Sequence, residues 1–203
     1  GLPYSIGGVI PSRDDLLLQT PESFSRRFHV DVRIRSEVIA IDRDSKQVEV
    51  RDAVSGAVYK EKYDKLVLSP GSSPLRPPIP GIDHPSILTL WTLPDMDRIG
   101  KRLEADGATR AVIVGGGFIG VEMAENLATR GVAVTLVELT NQVMPPLDFD
   151  MAQFVHRHLA EKGVRLVLGD GVQSFGDADG DVRITLRSGR ELDTNMVILS
   201  IGV

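Results

Sequence analysis

Between Ala111 and Glu138 the chain reads AVIVGGGFIGVEMAENLATRGVAVTLVE, and the order of residue types there leaves few folds open. Ala111 to Val114 is an unbroken apolar run of the kind shown by a buried parallel strand. Gly115, Gly117 and Gly120 follow at G-x-G-x-x-G spacing. With 20 glycines in 203 residues that spacing arises readily by chance, so its setting decides its meaning. After it comes a helix in which Gly120, Ala124 and Ala128 share one face and are small enough to lie close on a sheet. Arg130 and Gly131 read as the C-terminal turn and cap of that helix, Val132 to Val137 as a second strand, and Glu138 as an acid at its end.

This order predicts an α/β fold with a Rossmann-like, three-layer domain and a dinucleotide as ligand. Glycines let the backbone approach a pyrophosphate, and the helix N-terminus offers it free N–H groups and a positive dipole end. A carboxylate at Glu138 accepts hydrogen bonds from the adenosine ribose hydroxyls. The expected contact residues are Gly115, Gly117, Phe118, Ile119, Gly120 and Glu138. Leu139-Thr140-Asn141-Gln142 carry no Arg or Lys to neutralise a 2′-phosphate, so NADH is expected to bind in preference to NADPH. The other reading of the same residues is a tight strand-to-helix turn with no ligand.

Composition narrows the remaining classes. A net charge of −5 without a basic cluster argues against a nucleic-acid partner. The longest apolar run is too short to span a bilayer and no secretory signal is visible, so no membrane association and a cytoplasmic setting are expected. The chain has no cysteine, which excludes disulfides and thiol chemistry within these residues. His156 and His158 stand two apart, off a common helix face, and nothing lies at metal-ligand spacing from them. They read as solvated or rim residues, and no metal site is expected.

The rest of the chain organises around this unit. Residues 1–10, GLPYSIGGVI, suit a helix end and a turn. Thr20-Pro21-Glu22 reads as a helix start with Thr as N-cap and Pro at N1. Arg26 and Arg27 fall in the last turn of that helix, either as complement to its dipole or as contacts to an anionic substrate. From Val30 to Leu68 the apolar period is two, through Val30, Val32 and Ile34, then Val38 and Ile41, then Val48 and Val50. That predicts a β-meander ending in a buried strand at Leu66-Val67-Leu68. Pro74, Pro77, Pro78 and Pro80 predict a stiff connector and a domain boundary near residue 84, giving domains 1–84 and 85–203. Leu93 to Leu103 reads as an amphipathic helix, Asp148 as the cap of a helix that Gly163 ends, and Val164 to Leu168 as a third strand. Val182, Ile184 and Leu186, turning at Ser188-Gly189, form a second meander, and Met196 to Ser200 a closing strand.

The segment from Val48 to Gly71, ending LVLSPG, repeats in the segment from Val182 to Gly202, ending VILSIG. The second copy follows a complete nucleotide unit, whereas the first follows only a short stretch with no glycine fingerprint. Gly1 and Val203 both look like cut ends, as though a first dinucleotide domain lacked its N-terminal half.

Together LSPGSSPLRPPIPG, GGGFIGVEMAE and SIGV resemble the FAD- and NAD-dependent pyridine nucleotide-disulfide oxidoreductases. GLPYSIGGVI, TPESF and PPLDFDMAQFVHRHL resemble the branch of CoA-disulfide reductases and NADH-dependent persulfide reductases. The resemblance implies that residues 1–84 are the middle of an FAD-binding domain, containing its β-meander, and that residues 85–203 are an NAD-binding domain. It implies a redox Cys directly before Gly1, bound FAD and a homodimer in the parent protein, and a small disulfide or persulfide as substrate. By the same resemblance Gly115, Gly117, Gly120 and Glu138 hold NAD. Phe118 takes the place of the aromatic that covers the flavin, unless it merely packs helix on sheet. Glu122 faces the nicotinamide and flavin contact, unless it is only a first-turn carboxylate favoured by the dipole. Val38 and the Ser69, Pro70 and Gly71 turn would touch FAD through backbone. The implied activity is NADH:disulfide oxidoreduction on CoA disulfide, persulfide or polysulfide. The alternatives are an NADH oxidase or peroxidase of the same superfamily and, for this chain alone, a non-catalytic NAD-binding module.

Overall fold

The computed structural model describes all residues from Gly1 to Val203. Backbone contacts divide the chain into a smaller unit, Leu17–Gly71, and a larger one made of Gly1–Leu16 with Ser72–Val203.

Helix α1 (Leu2–Ile6) and a 3-10 turn (Arg13–Leu16) open the larger unit. The smaller unit begins with α2 (Pro21–Phe28), which Thr20 caps as the sequence predicts. Its hydroxyl accepts the Ser23 N–H at 3.1 Å, and the Ser23 hydroxyl oxygen accepts the Thr20 N–H at 2.9 Å. Three antiparallel strands follow in the order β1 (Ser36–Asp42), β2 (Gln47–Asp52) and β3 (Val58–Lys62). The central strand pairs on both sides, Val50 facing Val38 on β1 and Tyr59 on β3, and Val48 and Val50 are the buried members of the sheet.

Two expectations for this unit fail. Val30, Val32 and Ile34 alternate like a strand but lie in a loop, because His29 and Arg35, at φ 54° and φ 53°, bracket them with left-handed backbone that interrupts an extended run. Leu66-Val67-Leu68 is neither a strand nor buried, and Val67 is 85% exposed. An apolar run becomes a buried strand only where neighbouring strands accept its ladder and layers cover both faces. No strand of this chain pairs with residues 66–68. Their counterpart in the repeat, Met196–Leu199, lies between two parallel neighbours and is buried throughout.

The larger unit is the three-layer domain that the glycine turn predicts. Its sheet contains β4 (Ile87–Thr89), β5 (Arg110–Val114), β6 (Ala133–Glu138), β7 (Arg165–Leu168) and β11 (Met196–Leu199). All five run parallel in the order β4-β11-β5-β6-β7. Helices α3 (Leu93–Glu104), α4 (Phe118–Thr129) and α5 (Phe149–Glu161), with α1, cover one face. An antiparallel layer of β8 (Val172–Ala178), β9 (Asp181–Leu186) and β10 (Glu191–Thr194) covers the other. Alternation along each strand feeds both layers. Ile113, Leu136 and Ile198 enter the helix-side core, while Val112, Val114, Val137 and Val197 enter the meander-side core. That is why the strands read as continuous apolar runs rather than alternating ones.

Strands β4 and β8 were not foreseen. β4 is three residues long and follows a proline-rich stretch, so it has no pattern of its own and exists by pairing with β11. The connector before it is irregular, as expected, yet pinned: Pro80 O accepts the Phe175 N–H at 2.8 Å and Gly202 O accepts the Leu75 N–H at 2.9 Å. Asp148 occupies the N-cap position of α5, but its side chain accepts no capping hydrogen bond there. His156 is half-buried at the rim, and its Nε2 accepts the Val143 N–H at 3.1 Å. His158 lies at the surface beside Glu125.

Candidate functional site

At the turn between β5 and α4 each fingerprint glycine is required for a different reason. Gly115 has φ 107°, and a Cβ there would lie 2.3 Å from the Ser200 carbonyl oxygen. A Cβ on Gly120 would lie 2.0 Å from the Gly115 carbonyl oxygen, so the close approach of α4 to the sheet depends on its absence. Gly117 differs: a Cβ there would meet nothing within 4 Å. It is the N-cap of α4, with no side-chain cap, and the N–H groups of Phe118, Ile119 and Gly120 have no intrahelical partner. The close packing expected of Gly120 is present; Gly115, expected to serve ligand approach, is also required by a carbonyl oxygen of the protein itself, and Gly117 faces open space.

Glu138 ends β6 and is buried. Its Oε2 accepts the Gly116 N–H at 2.7 Å, and its Oε1 accepts the Thr140 N–H at 2.8 Å and the Thr140 hydroxyl at 2.9 Å. A carboxylate offers about four acceptor positions, so one remains for a ribose hydroxyl. Besides its expected role the residue ties the glycine turn to the turn after β6. The neighbouring loop locks onto the same place, with Gly116 O accepting the Met144 N–H at 2.7 Å and Val143 fully buried.

These groups line a cleft of about 640 Å³ along the C-terminal edge of the parallel sheet. Leu90 and Trp91 stand at one end, beyond β4. Gly115 to Ile119 lie in the middle, and Glu138, Leu139, Asp170, Gly171 and Arg187 form the other end, beyond β6 and β7. Five strands place about 19 Å between the outer two, from four spacings of roughly 4.8 Å. A cleft at the carboxyl ends of parallel strands is the usual ligand position in open α/β sheets. Phe118 projects here, 62% exposed. Glu122, one turn along α4, is not among the lining residues, and its carbonyl oxygen accepts the Asn126 side-chain amide at 2.8 Å.

Among the lining residues that escaped sequence reasoning are Asp170, Arg187 and Trp91. Asp170 braces the cleft, taking the Ser188 hydroxyl at 2.5 Å, the Gly171 N–H at 3.0 Å and the Ser188 N–H at 3.2 Å. The Ser188 hydroxyl bond, with the two backbone donors, holds its carboxyl below the usual range. Arg187 is held by its own N–H, which donates to Gly171 O at 2.8 Å. Trp91 sits just before the N-cap of α3, its N–H donating to Asp95 Oδ2 at 3.1 Å. None of them lies near the fingerprint in sequence, and only the fold brings them to it.

The cleft fits a dinucleotide. Uncapped N–H groups surround an open Gly117, the Ser200 hydroxyl is shielded from solvent without a protein partner, and a carboxylate stands at one end. The residues expected to touch a flavin do not line this cleft. Val38, Ser69, Pro70 and Gly71 are exposed residues of the smaller unit, which contains no glycine turn leading into a helix. Arg26 and Arg27 are exposed and without carboxylate partners, and the Arg27 guanidinium lies 5.2 Å from the Phe28 ring centre.

The family described as pyridine nucleotide-disulphide oxidoreductase matches residues 5–203. The chain belongs to this family. The coenzyme A disulfide reductase of Staphylococcus haemolyticus is 33% identical over 202 residues, covering 100% of this chain and 44% of that protein. Among solved structures, reduced CoADR-RHD of Bacillus anthracis superposes with a TM-score of 0.94 at 47% identity, covering 100% of this chain and 36% of the other. The water-forming NADH oxidase of Lactobacillus brevis, bound to NADH, gives 0.91 at 33% identity, with 100% and 44% covered. The chain thus spans less than half the length of the relatives it matches. No helix is long and apolar enough to cross a membrane.

Proposed function

We propose that the larger unit binds NADH and serves a flavin-dependent NADH:disulfide oxidoreductase whose substrate is CoA disulfide, a persulfide or a polysulfide. The observation that carries the coenzyme reading is the cleft itself, in which an uncapped helix N-terminus, an open Gly117 and Glu138 stand along one sheet edge. The unpaired N–H groups of Phe118, Ile119 and Gly120 would hold the pyrophosphate, and Glu138 would accept from the adenosine ribose through its remaining acceptor position. FAD, when bound in a longer protein, would supply the two-electron relay between nicotinamide and a thiol. These 203 residues contain no cysteine, so that thiol lies outside them.

In this reading residues 1–84 belong to an FAD-binding domain and residues 85–203 form the NAD-binding one. Val38 and Ser69 to Gly71 lie on the flavin side, and Phe118 and Glu122 on the nicotinamide side. Arg26 and Arg27 carry unpaired charge suited to an anionic thiol compound. The parent is a cytoplasmic homodimer. The likeness to an NADH-bound oxidase supports a second reading, reduction of oxygen or peroxide with the same coenzyme cleft.

Calorimetric titration of the chain with NADH tests the coenzyme assignment, with one site per chain as the expected result. Absence of binding would overturn it. For a longer protein containing this chain, NADH consumption with CoA disulfide, polysulfide or oxygen as acceptor separates the two readings. Turnover with oxygen alone would reject the disulfide assignment.

A further inference from the structure

At the adenosine end of the cleft the acidic groups are largely satisfied and a cation is not. Glu138 accepts three hydrogen bonds from Gly116 and Thr140. Asp170 accepts three from Gly171 and Ser188. Arg187 lines the same end, and its guanidinium makes no hydrogen bond or ion pair with any other residue. The side chain is exposed, but the backbone that carries it is fixed. Its N–H is fixed to Gly171 O, and the next residue, Ser188, is clamped by Asp170. Its Nε stands 3.2 Å from the position a Gly171 Cβ would take, with Leu139 Cδ1 at 2.9 Å from that same point. Arg187 and the residue directly after Glu138 therefore flank one glycine.

From this we infer that Arg187 is a specificity-determining residue that receives a 2′-phosphate on the adenosine ribose, so that the cleft accepts NADPH as well as NADH. The inference rests on the coenzyme reading above and names a property of that site. Read locally, the residues after Glu138 offer nothing to neutralise a phosphate, but the fold supplies a cation from the β9–β10 turn. Arg suits the task because its planar fork can meet two phosphate oxygens at once. Glu138 still repels a 2′-phosphate, so NADH remains the tighter ligand. Arg187 narrows the difference.

Trp91, the only tryptophan of the chain, lines the opposite end of the cleft and serves as reporter, since reduced nicotinamide absorbs where indole emits. Fluorescence titrations with NADH and with NADPH are run on the wild type, Arg187→Ala and Arg187→Lys, with thermal unfolding of each as a folding control. Calorimetry with AMP and with adenosine 2′,5′-bisphosphate isolates the adenosine end. The expected result is NADPH binding within about tenfold of NADH in the wild type. Arg187→Ala should weaken NADPH and the bisphosphate about tenfold or more, and NADH and AMP by less than about threefold, with partial recovery in Arg187→Lys. An unchanged NADPH-to-NADH ratio in Arg187→Ala overturns the inference, as does a wild type that binds NADH and not NADPH. Binding of neither coenzyme by a folded wild type overturns the coenzyme reading and this inference with it.

Discussion

Replacing Glu138 by Gln changes one atom and separates the two tasks of that side chain. The carboxylate has an oxygen for each turn, Oε2 for the Gly116 N–H at 2.7 Å and Oε1 for the Thr140 N–H at 2.8 Å. An amide has a single oxygen and an NH2 group that only donates. Whichever way the new amide is oriented, its NH2 faces a backbone donor, the buried Gly116 N–H or the part-buried Thr140 N–H. An unsatisfied buried donor costs about 1–3 kcal/mol. At about 2 kcal/mol, a chain of this size should lose about 4–8 °C in unfolding midpoint. The assay is thermal unfolding followed by circular dichroism, beside NADH titration of both proteins at a temperature where both are folded. NADH affinity should fall as well, because the ribose loses a charged acceptor and the glycine turn its anchor. A midpoint shifted by less than about 1 °C would refute the bridging account, since the two turns would then not depend on the carboxylate.

Two further outcomes can be checked with the same methods. Gly120→Ala places a methyl group 2.0 Å from the Gly115 carbonyl and should cost about 1–3 kcal/mol of stability. Gly117→Ala meets nothing within 4 Å, so it should lower the midpoint markedly less while weakening NADH binding. Denaturant unfolding with the reverse ranking would contradict the packing assigned to these glycines. Burial pushes the His156 imidazolium below its usual 6.5, and Nε2 must stay unprotonated to accept the Val143 N–H. The unfolded chain therefore takes up the proton first, so the stabilising contribution of neutral His156 is complete above about pH 6.5 and declines below it. His156→Gln keeps an acceptor without the titration. Unfolding midpoints between about pH 7.5 and 5.5 should fall further for the wild type than for the variant, and parallel curves would count against this assignment.

The part of the fold that was legible in sequence is the part governed by local physics. Strand, glycine turn, helix and acid from Ala111 to Glu138 stand where their pattern predicts, because apolar runs, small-residue faces and caps act over a few residues. Thr20 caps its helix for the same reason. The pattern erred where an apolar run lacked neighbours. Leu66-Val67-Leu68 and Met196-Val197-Ile198-Leu199 are near copies in composition, and only the second has parallel strands on both sides. β4 shows the converse, a strand with almost no pattern that exists because β11 offers its edge.

The site divides along the same line. Gly115, Gly117, Gly120 and Glu138 could be named from spacing, since their roles depend on one turn and the strand beside it. Sequence alone could not say that Gly115 and Gly120 are needed by carbonyl oxygens of the protein itself, or that Glu138 already holds Gly116 and Thr140. Nor could it bring Trp91, Asp170 and Arg187 to the cleft, because the packing of the antiparallel layer and the order of the parallel strands place them there. Local pattern determined that the chain makes a glycine turn between a buried strand and a helix. Which charges and rings face that turn was decided only by tertiary structure, because residues far apart in sequence meet where the strands of one sheet end together.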